Sequence, residues 1–425
     1  MPAEPAAVSL DTIRAAAGRI SDVIYQSPCP YSLSLSRLCG SEIYCKLDHL
    51  QITGSFKERG ARNKLKLMLE SRAAGPPPAV VAASAGNHAL ALAYHGQDLG
   101  VPVTVVMPKW APLVKVSNCR SFGANVILHG ESFDEARTRA TELAEEKGLA
   151  YVSGFDDAAI IAGQGTMGLE ILRDVPDADA VIVPVGGAGL IAGVGTAVKA
   201  LRPQCRIIGV EPRHAPTLYE SLKNGRPTKI AVQTTIADGL ALAEVGRLCF
   251  DLIRQNHLID DLLLVDEPQI DQSILKLLEL EKTVVEGAGA VPLAAAMMKR
   301  PDLAGKKVVL CLCGGNIDVT LIARVIERGL AADGRLTRVT AFIPDRPGSL
   351  AGLLSTLAAT GASIKEVFHD RNFGPADVTR VAVSVVMETR DFAHVKEVHE
   401  ALKSAGIDFS PGDGDGGRVT SSPPA

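Results

Sequence analysis

Between Val80 and Arg328, short runs rich in β-branched residues alternate with helical stretches, and this alternation restricts the chain to a parallel α/β architecture. Val80–Ala83 reads as a strand, followed by an alanine-rich helix from about Asn87 to Leu99. Val103–Met107 is a second strand, stopped by Pro108. A helix near Leu113–Phe122, a strand at Asn125–Leu128 and a helix through Glu146 follow. The pattern resumes with Ala180–Val185, a helix to Leu201 and Arg206–Val210, then closes with Val308–Leu312 and a helix from about Asp318 to Arg328. Open parallel sheets bind ligands beyond the carboxyl ends of their strands. Polar, glycine-rich segments follow Ala83, Val185 and Leu312, so three strand ends carry the residues a small ligand needs.

The segment ITGSFKERGA, Ile52–Ala61, holds the most reactive side chain among these motifs. Thr53, Gly54 and Ser55 make a tight polar turn, Phe56 supplies an apolar wall, and Lys57 follows. A lysine beside apolar surface loses solvation of its charged form, so its pKa falls and the neutral amine becomes a nucleophile. A solvated helix start is the other reading of Lys57, Glu58 and Arg59. In VPVGGAGLIAG a strand runs into Gly186, Gly187, Ala188 and Gly189, and a helix begins at about Leu190. Small residues let backbone N–H groups converge at a helix N-terminus, which suits a phosphate; a tight turn that needs glycine for packing is the alternative. The loop is neither a Walker sequence nor a GxGxxG with its acidic partner. In SAGNHA, Ser84 and the following N–H groups can hold a carboxylate, and Asn87 offers a donor and an acceptor to a ligand ring. His88 reads as a structural hydrogen-bonder. Cys313, in CLCGGNID, is either a mute buried thiol or, at the mouth of a cofactor site, a partner for a ring nitrogen.

Composition closes off other classes. A net charge of -4 gives no reason to expect nucleic acid or an anionic membrane as partner. Ala180–Val198 carries no charge, but Pro184 and its glycines make it a buried strand, loop and helix start rather than a membrane span. The 8 cysteines form no CxxC pair, which fits neither a zinc site nor a disulfide framework and points to a reducing compartment, the cytoplasm.

Taken together, these motifs resemble the pyridoxal-phosphate-dependent threonine and serine dehydratases, the fold type II group that also contains serine racemase, from about residue 10 to 330. The resemblance implies a two-subdomain parallel-sheet α/β fold, similar to the tryptophan synthase β chain. Its catalytic domain spans 1–332, with a small subdomain inserted at about 70–155. It implies pyridoxal 5'-phosphate as cofactor and Lys57 as the Schiff-base lysine, with Phe56 flanking the ring. Ser84 and Asn87 then correspond to contacts of the substrate carboxylate and the cofactor 3-oxygen. Gly186, Gly187, Ala188, Gly189 and Leu190 correspond to the phosphate cup, and Cys313 to the group beside the pyridine nitrogen. Gly239, in ADGLA, is expected to meet the ring through its backbone, and EGAGA from Glu286 matches a further cofactor-side segment.

The implied reaction is β-elimination from L-threonine to 2-oxobutyrate and ammonia, and from L-serine to pyruvate. A serine racemase or hydroxyaspartate dehydratase shares these motifs, and a non-catalytic amino-acid sensor is the rival from another class. Ala85 stands where the racemase branch has a second serine as proton donor on the opposite face, which favours elimination. Relatives hold a cation with a glutamate, a backbone carbonyl and a carboxylate. Here GVEPRHAPT offers Glu211 and Ala215, but Thr217 replaces the carboxylate, so the expectation is a monovalent ion, a divalent ion or none. Arg137 reads as part of a solvated helix face.

A boundary falls near Leu330–Gly334. Beyond it a strand at Val339–Ile343, a turn at Asp345–Gly348 and apolar positions Leu350, Leu353, Leu354 and Leu357 on one helix face begin a β–α–β–β–α–β pattern. Val381–Glu388 and a helix through Phe392–Leu402 complete it. Residues 336–408 resemble the ACT domain, a small α+β ferredoxin-like module. The resemblance implies a homo-oligomer, with this domain either binding an amino-acid effector or serving assembly alone. Residues 409–425, rich in Gly, Asp, Ser and Pro, are expected to be disordered.

Overall fold

The computed structural model describes residues 8–71, 77–371 and 377–412. The chain separates into two compact units, Met1–Ile317 and Asp318–Ala425. The alternation legible in the sequence becomes two sheets in the first. The larger has six strands in the order Tyr31–Ser32, Glu42–Lys46, Lys307–Cys311, Ala180–Pro184, Arg206–Pro212 and Asp261–Val265. All neighbours are parallel except the short first strand, which pairs antiparallel with Glu42–Lys46. The smaller sheet is parallel throughout, in the order Asn125–Leu128, Val103–Met107, Val80–Ala83 and Ala150–Tyr151. Its strands fall within the inserted segment expected at about 70–155.

Both sheets are covered on their faces by helices, which is why their central strands are apolar on every residue rather than alternating. Ala180–Pro184 and Val80–Ala83 are buried along their whole length. The uncharged run that begins at Ala180 is therefore strand, loop and helix inside the core. Among the described residues, no helix is long and apolar enough to cross a membrane. All eight cysteines are free, and all but Cys29 are buried.

The second unit is a four-stranded antiparallel sheet, in the order Ser363–Asp370, Arg380–Glu388, Leu336–Pro344 and Asp408–Pro411, with helices Ser349–Ala359 and Phe392–Ser404. This is the β–α–β–β–α–β order expected. Two details differ from the sequence reading. The helix Val319–Ala332, expected to close the catalytic domain, groups with the second unit because it leads directly into the strand Leu336–Pro344 and packs on it. The expected disorder from residue 409 is corrected at its start: Asp408–Pro411 pairs with that same strand, placing Phe409 opposite Ala341 and against the core. A large aromatic side chain on the apolar face anchors the strand. Residues 413–425 lie outside the described residues.

Candidate active site

Lys57 opens the helix Lys57–Glu70, and the loop before it is stitched to the loop after the strand Lys307–Cys311. Phe56 donates its N–H to the Cys313 carbonyl at 3.0 Å, and Gly315 donates to the Gly54 carbonyl at 2.9 Å. Ser55 and Gly314 form an antiparallel bridge between them. Gly54 takes a φ of +77°, and a Cβ there would run into the Asn316 side chain, so the turn needs glycine twice over. On the other side, the Thr53 N–H donates to the buried Glu58 carboxylate. The strand-end loop after Leu312 is thus joined to the loop that carries Lys57.

The Lys57 ammonium lies over the Phe56 ring, 5.0 Å from its centroid, and donates to the Gly154 carbonyl at 2.7 Å. Burial lowers its pKa from 10.5 to about 8, against the pull of Cys313, Cys249 and Glu286, which favour the charged form. The amine is therefore far closer to its nucleophilic form at neutral pH than an exposed lysine. A pH series of pyridoxal phosphate capture by the full-length chain checks this. Capture should rise with pH to a midpoint near 8, whereas a midpoint at 10.5 would show a solvated amine.

The strand end at Val185 supplies a row of backbone N–H groups. The strand Ala180–Pro184 passes into Gly186, Gly187, Ala188 and Gly189, with the helix Gly189–Leu201 beginning there. Ala188 is held in the left-handed region at φ 70°, which a non-glycine residue adopts at a cost, so the surrounding packing imposes this turn. The N–H groups of Gly186, Gly187, Ala188, Gly189 and Leu190 donate to no acceptor among the described residues, although all five residues are buried. Buried N–H groups without acceptors are uncommon, and five in succession at a helix N-terminus fit a bound phosphate. A Cβ on Gly187 would collide with the Phe155 ring, and one on Gly186 would lie 3.1 Å from Leu240 Cα. The turn Asp238–Leu240, which carries Gly239, thus presses against this cup.

Around these groups the remaining polar residues are ordered. The Ser84 hydroxyl accepts the Gly86 N–H at 3.2 Å, and the helix Asn87–Leu99 has no side-chain cap on its first turn. Asn87 donates to Glu286 at 2.7 Å and accepts from Asn316 at 2.8 Å. Burial raises the Glu286 carboxyl to about 7, helped by Asp238. Burial also holds the Cys313 thiol well above its ordinary range, so it is neutral. His88 is buried with Nε2 at 3.1 Å from the Val152 carbonyl, and burial together with the Lys57 charge pushes its pKa down to about 4. It is a neutral ring packed on Gly154, as a structural hydrogen-bonder should be.

Glu211 and Ala215, the expected cation pair, both accept backbone hydrogen bonds. Glu211 accepts the N–H groups of Leu218 at 2.7 Å and Tyr219 at 2.9 Å, capping the helix Thr217–Asn224, and burial lifts its carboxyl to about 8. The Ala215 carbonyl accepts the Thr217 N–H at 2.9 Å. Arg137 pairs with Asp134 at 3.4 Å on an exposed helix face. Asn316 and Gly154 were missed in the sequence. Asn316 lies in the strand-end loop already singled out for Cys313, and its polarity was the available signal. Gly154 follows the strand Ala150–Tyr151, whose two residues are too few to register as a strand.

The residues present fit pyridoxal phosphate: an amine of lowered pKa for its aldehyde, a buried row of N–H donors for its phosphate, and a neutral thiol for its ring nitrogen. The comparisons with known proteins agree. A family profile described as pyridoxal-phosphate dependent enzyme matches residues 20–314. An L-threonine ammonia-lyase of Thermotoga maritima is 43% identical over 402 residues, covering 94% of this chain and 98% of its own. The processed form of threonine deaminase isoform 2 from Solanum lycopersicum superposes with a TM-score of 0.69 at 37% identity, over 76% of this chain and 90% of that one. Maize serine racemase gives 0.70 at 33% identity, over 76% and 98%. The profile spans most of the first unit and the Thermotoga alignment reaches into the second, and on both grounds the chain belongs to the pyridoxal-phosphate dependent enzyme family.

Proposed function

We propose that this chain catalyses the β-elimination of L-threonine to 2-oxobutyrate and ammonia, and of L-serine to pyruvate. The observation that carries the reading is the Lys57 amine, desolvated to a pKa of about 8 and held at 2.7 Å from the Gly154 carbonyl, in a chain 43% identical to an L-threonine ammonia-lyase along nearly its whole length. When bound, pyridoxal phosphate supplies an electron sink for the pair left at the substrate α-carbon. In this reading Gly186 to Leu190 hold its phosphate, Phe56 walls its ring, Asn87 meets the 3-oxygen, Cys313 the ring nitrogen, and the Gly239 backbone packs beside it. Ser84 and the open first turn of the helix Asn87–Leu99 hold the substrate carboxylate. Lys57 Nζ takes the α-proton as the base, and its lowered pKa matches it to that task near neutral pH. A neutral Cys313 thiol gives the ring nitrogen no full proton, which favours rapid loss of the β-hydroxyl over slower side reactions.

Racemisation is the second reading, since maize serine racemase shares the fold. Ala85 argues against it, because no hydroxyl stands at that position to protonate the opposite face. The test is release of 2-oxobutyrate and pyruvate from the two L-amino acids, with the chirality of recovered serine as the separating readout. Recovered D-serine without 2-oxo acid would reverse the order of the two readings.

Three further elements complete the proposal. A cation, where one binds, sits at Glu211 and the Ala215 carbonyl. It must share the oxygens that now accept Leu218 and Tyr219, which favours a weakly held monovalent ion. The ferredoxin-like second unit assembles a homo-oligomer and offers an amino-acid effector site. The free, mostly buried thiols support a cytoplasmic location. One series of sedimentation and activity measurements, with potassium, with a chelator and with added amino acids, checks the cation and the effector together. A chelator-sensitive, potassium-indifferent enzyme would contradict the first, and indifference to every amino acid the second.

A further inference from the structure

Four segments around Lys57 are joined by one line of side-chain hydrogen bonds. Asn316 Nδ2 donates to the Thr53 carbonyl at 2.7 Å and to Asn87 Oδ1 at 2.8 Å, which uses both of its hydrogens. Asn87 Nδ2 then donates to Glu286 Oε1 at 2.7 Å. The line therefore begins in TGSFK, passes through CGGN and SAGNH, and ends in EGAGA.

Its direction is not free. An amide side chain can ordinarily turn over and exchange oxygen for nitrogen. Here the Thr53 carbonyl requires a donor, so Asn316 presents N–H groups. Asn87 must then answer with its oxygen, which leaves its nitrogen facing the Glu286 oxygen. Glycines keep the members close: a Cβ on Gly314 would strike the Glu286 carboxyl and lie 3.3 Å from Asn87 Nδ2. Glu286 is 6% exposed, so its acceptor is hardly shared with water. Asn87, partly exposed, is left with one N–H that no member of the line uses.

We propose that Glu286 and Asn316 are positioning residues that fix the orientation of Asn87, so that its remaining N–H serves the cofactor oxygen in the cleft. Neither touches a reacting atom, and both act through Asn87. The inference rests on the reading of Asn87 as a cofactor-facing residue given above.

The test uses full-length protein loaded with pyridoxal phosphate, reading the rate of cofactor loss and the visible absorbance band. Asn87→Ala, Glu286→Ala and Asn316→Ala should each speed cofactor loss by about tenfold and move the band in the same direction. The double variant Asn87→Ala/Glu286→Ala should be no worse than Asn87→Ala alone, because the second change has no amide left to orient. Glu286→Gln keeps an acceptor oxygen for Asn87 and should hold cofactor within about threefold of the unmodified chain, which covers the case where Glu286→Ala does not fold. Additive losses in the double variant, or Glu286→Ala and Asn316→Ala losing cofactor at unrelated rates with the band unmoved, or Glu286→Gln losing cofactor as fast as Asn87→Ala, would overturn the proposal. A chain that keeps its cofactor but releases no 2-oxo acid would defeat the elimination reading alone, and the cycle would stand.

Discussion

Replacing Lys57 with alanine is expected to cut kcat/KM for 2-oxobutyrate release from L-threonine by on the order of 10⁴-fold or more, with the fold intact. The size follows from the absence of a substitute. Lys46 is committed to Glu170 at 2.6 Å, and Lys115 to Asp238 at 2.9 Å. Stability should change little, because the Lys57 amine pairs with no carboxylate among the described residues and its burial disfavours the charged form. Truncation then removes a desolvated cation at the cost of one hydrogen bond to a carbonyl. Activity and a thermal melt on the same preparation give the answer. A variant that still released 2-oxobutyrate at the original rate would remove Lys57 from the mechanism. Loss of activity together with loss of the melting transition would mean a folding defect, and Lys57→Arg would then replace it as the probe.

Replacing Arg59 with methionine should cost about 3–5 kcal/mol of stability at neutral pH. Arg59 lies two residues beyond Lys57 and is fully buried with Asp48. Its guanidinium donates twice to Asp48, both at 2.7 Å, and twice to Glu170, at 2.7 and 2.8 Å, with Thr166 at 3.0 Å completing its fork. Methionine fills the volume but leaves the Asp48 carboxylate buried beside Ser27 and Gln51 alone. The pH dependence separates this cause from a packing defect. In the unaltered chain Arg59 holds the Asp48 pKa below 3.8, so that contribution is present above 3.8 and is lost only as acid titrates the folded carboxylate. Without Arg59 the desolvated carboxyl has a folded pKa above its unfolded one. The variant then binds more protons folded than unfolded, and its deficit should shrink as the pH falls toward 4. Denaturant midpoints at neutral and mildly acidic pH measure both terms, and a deficit that stayed constant with pH would assign the loss to packing.

The strands and helices named from the sequence were legible because they rest on local patterns, whereas the strands Glu42–Lys46 and Asp261–Val265 went unnamed. Apolar β-branched runs such as Val103–Met107, closed by Pro108, announce themselves over a handful of residues. The Gly186–Gly189 turn and Cys313 stood out as site candidates for a related reason: a strand end followed by small or polar residues is where open parallel sheets take ligands, and Lys57 stood out by the apolar wall of Phe56 beside it. The second unit was legible as a module but not at its edges. Whether the helix Val319–Ala332 packs with what precedes or follows it, and whether Asp408–Pro411 finds a strand to pair with, depends on partners that no short window contains.

What the sequence by itself determined is the inventory: a parallel α/β catalytic chain, one lysine beside an aromatic wall, a glycine turn at a strand end, and a ferredoxin-like module later in the chain. The tertiary structure alone decided how those parts are held. It chose Gly154, 97 positions from Lys57, as the acceptor of the amine, and Glu286 and Asn316, 199 and 229 positions from Asn87, as the pair that orients its amide. It also brought the Glu211 carboxyl onto the N–H groups of Leu218 and Tyr219, at the start of the helix Thr217–Asn224. The physical reason is range. Helix, strand and turn preferences act over a few neighbouring residues, whereas desolvation and hydrogen-bond partnership are properties of a packed neighbourhood and exist only once distant segments meet.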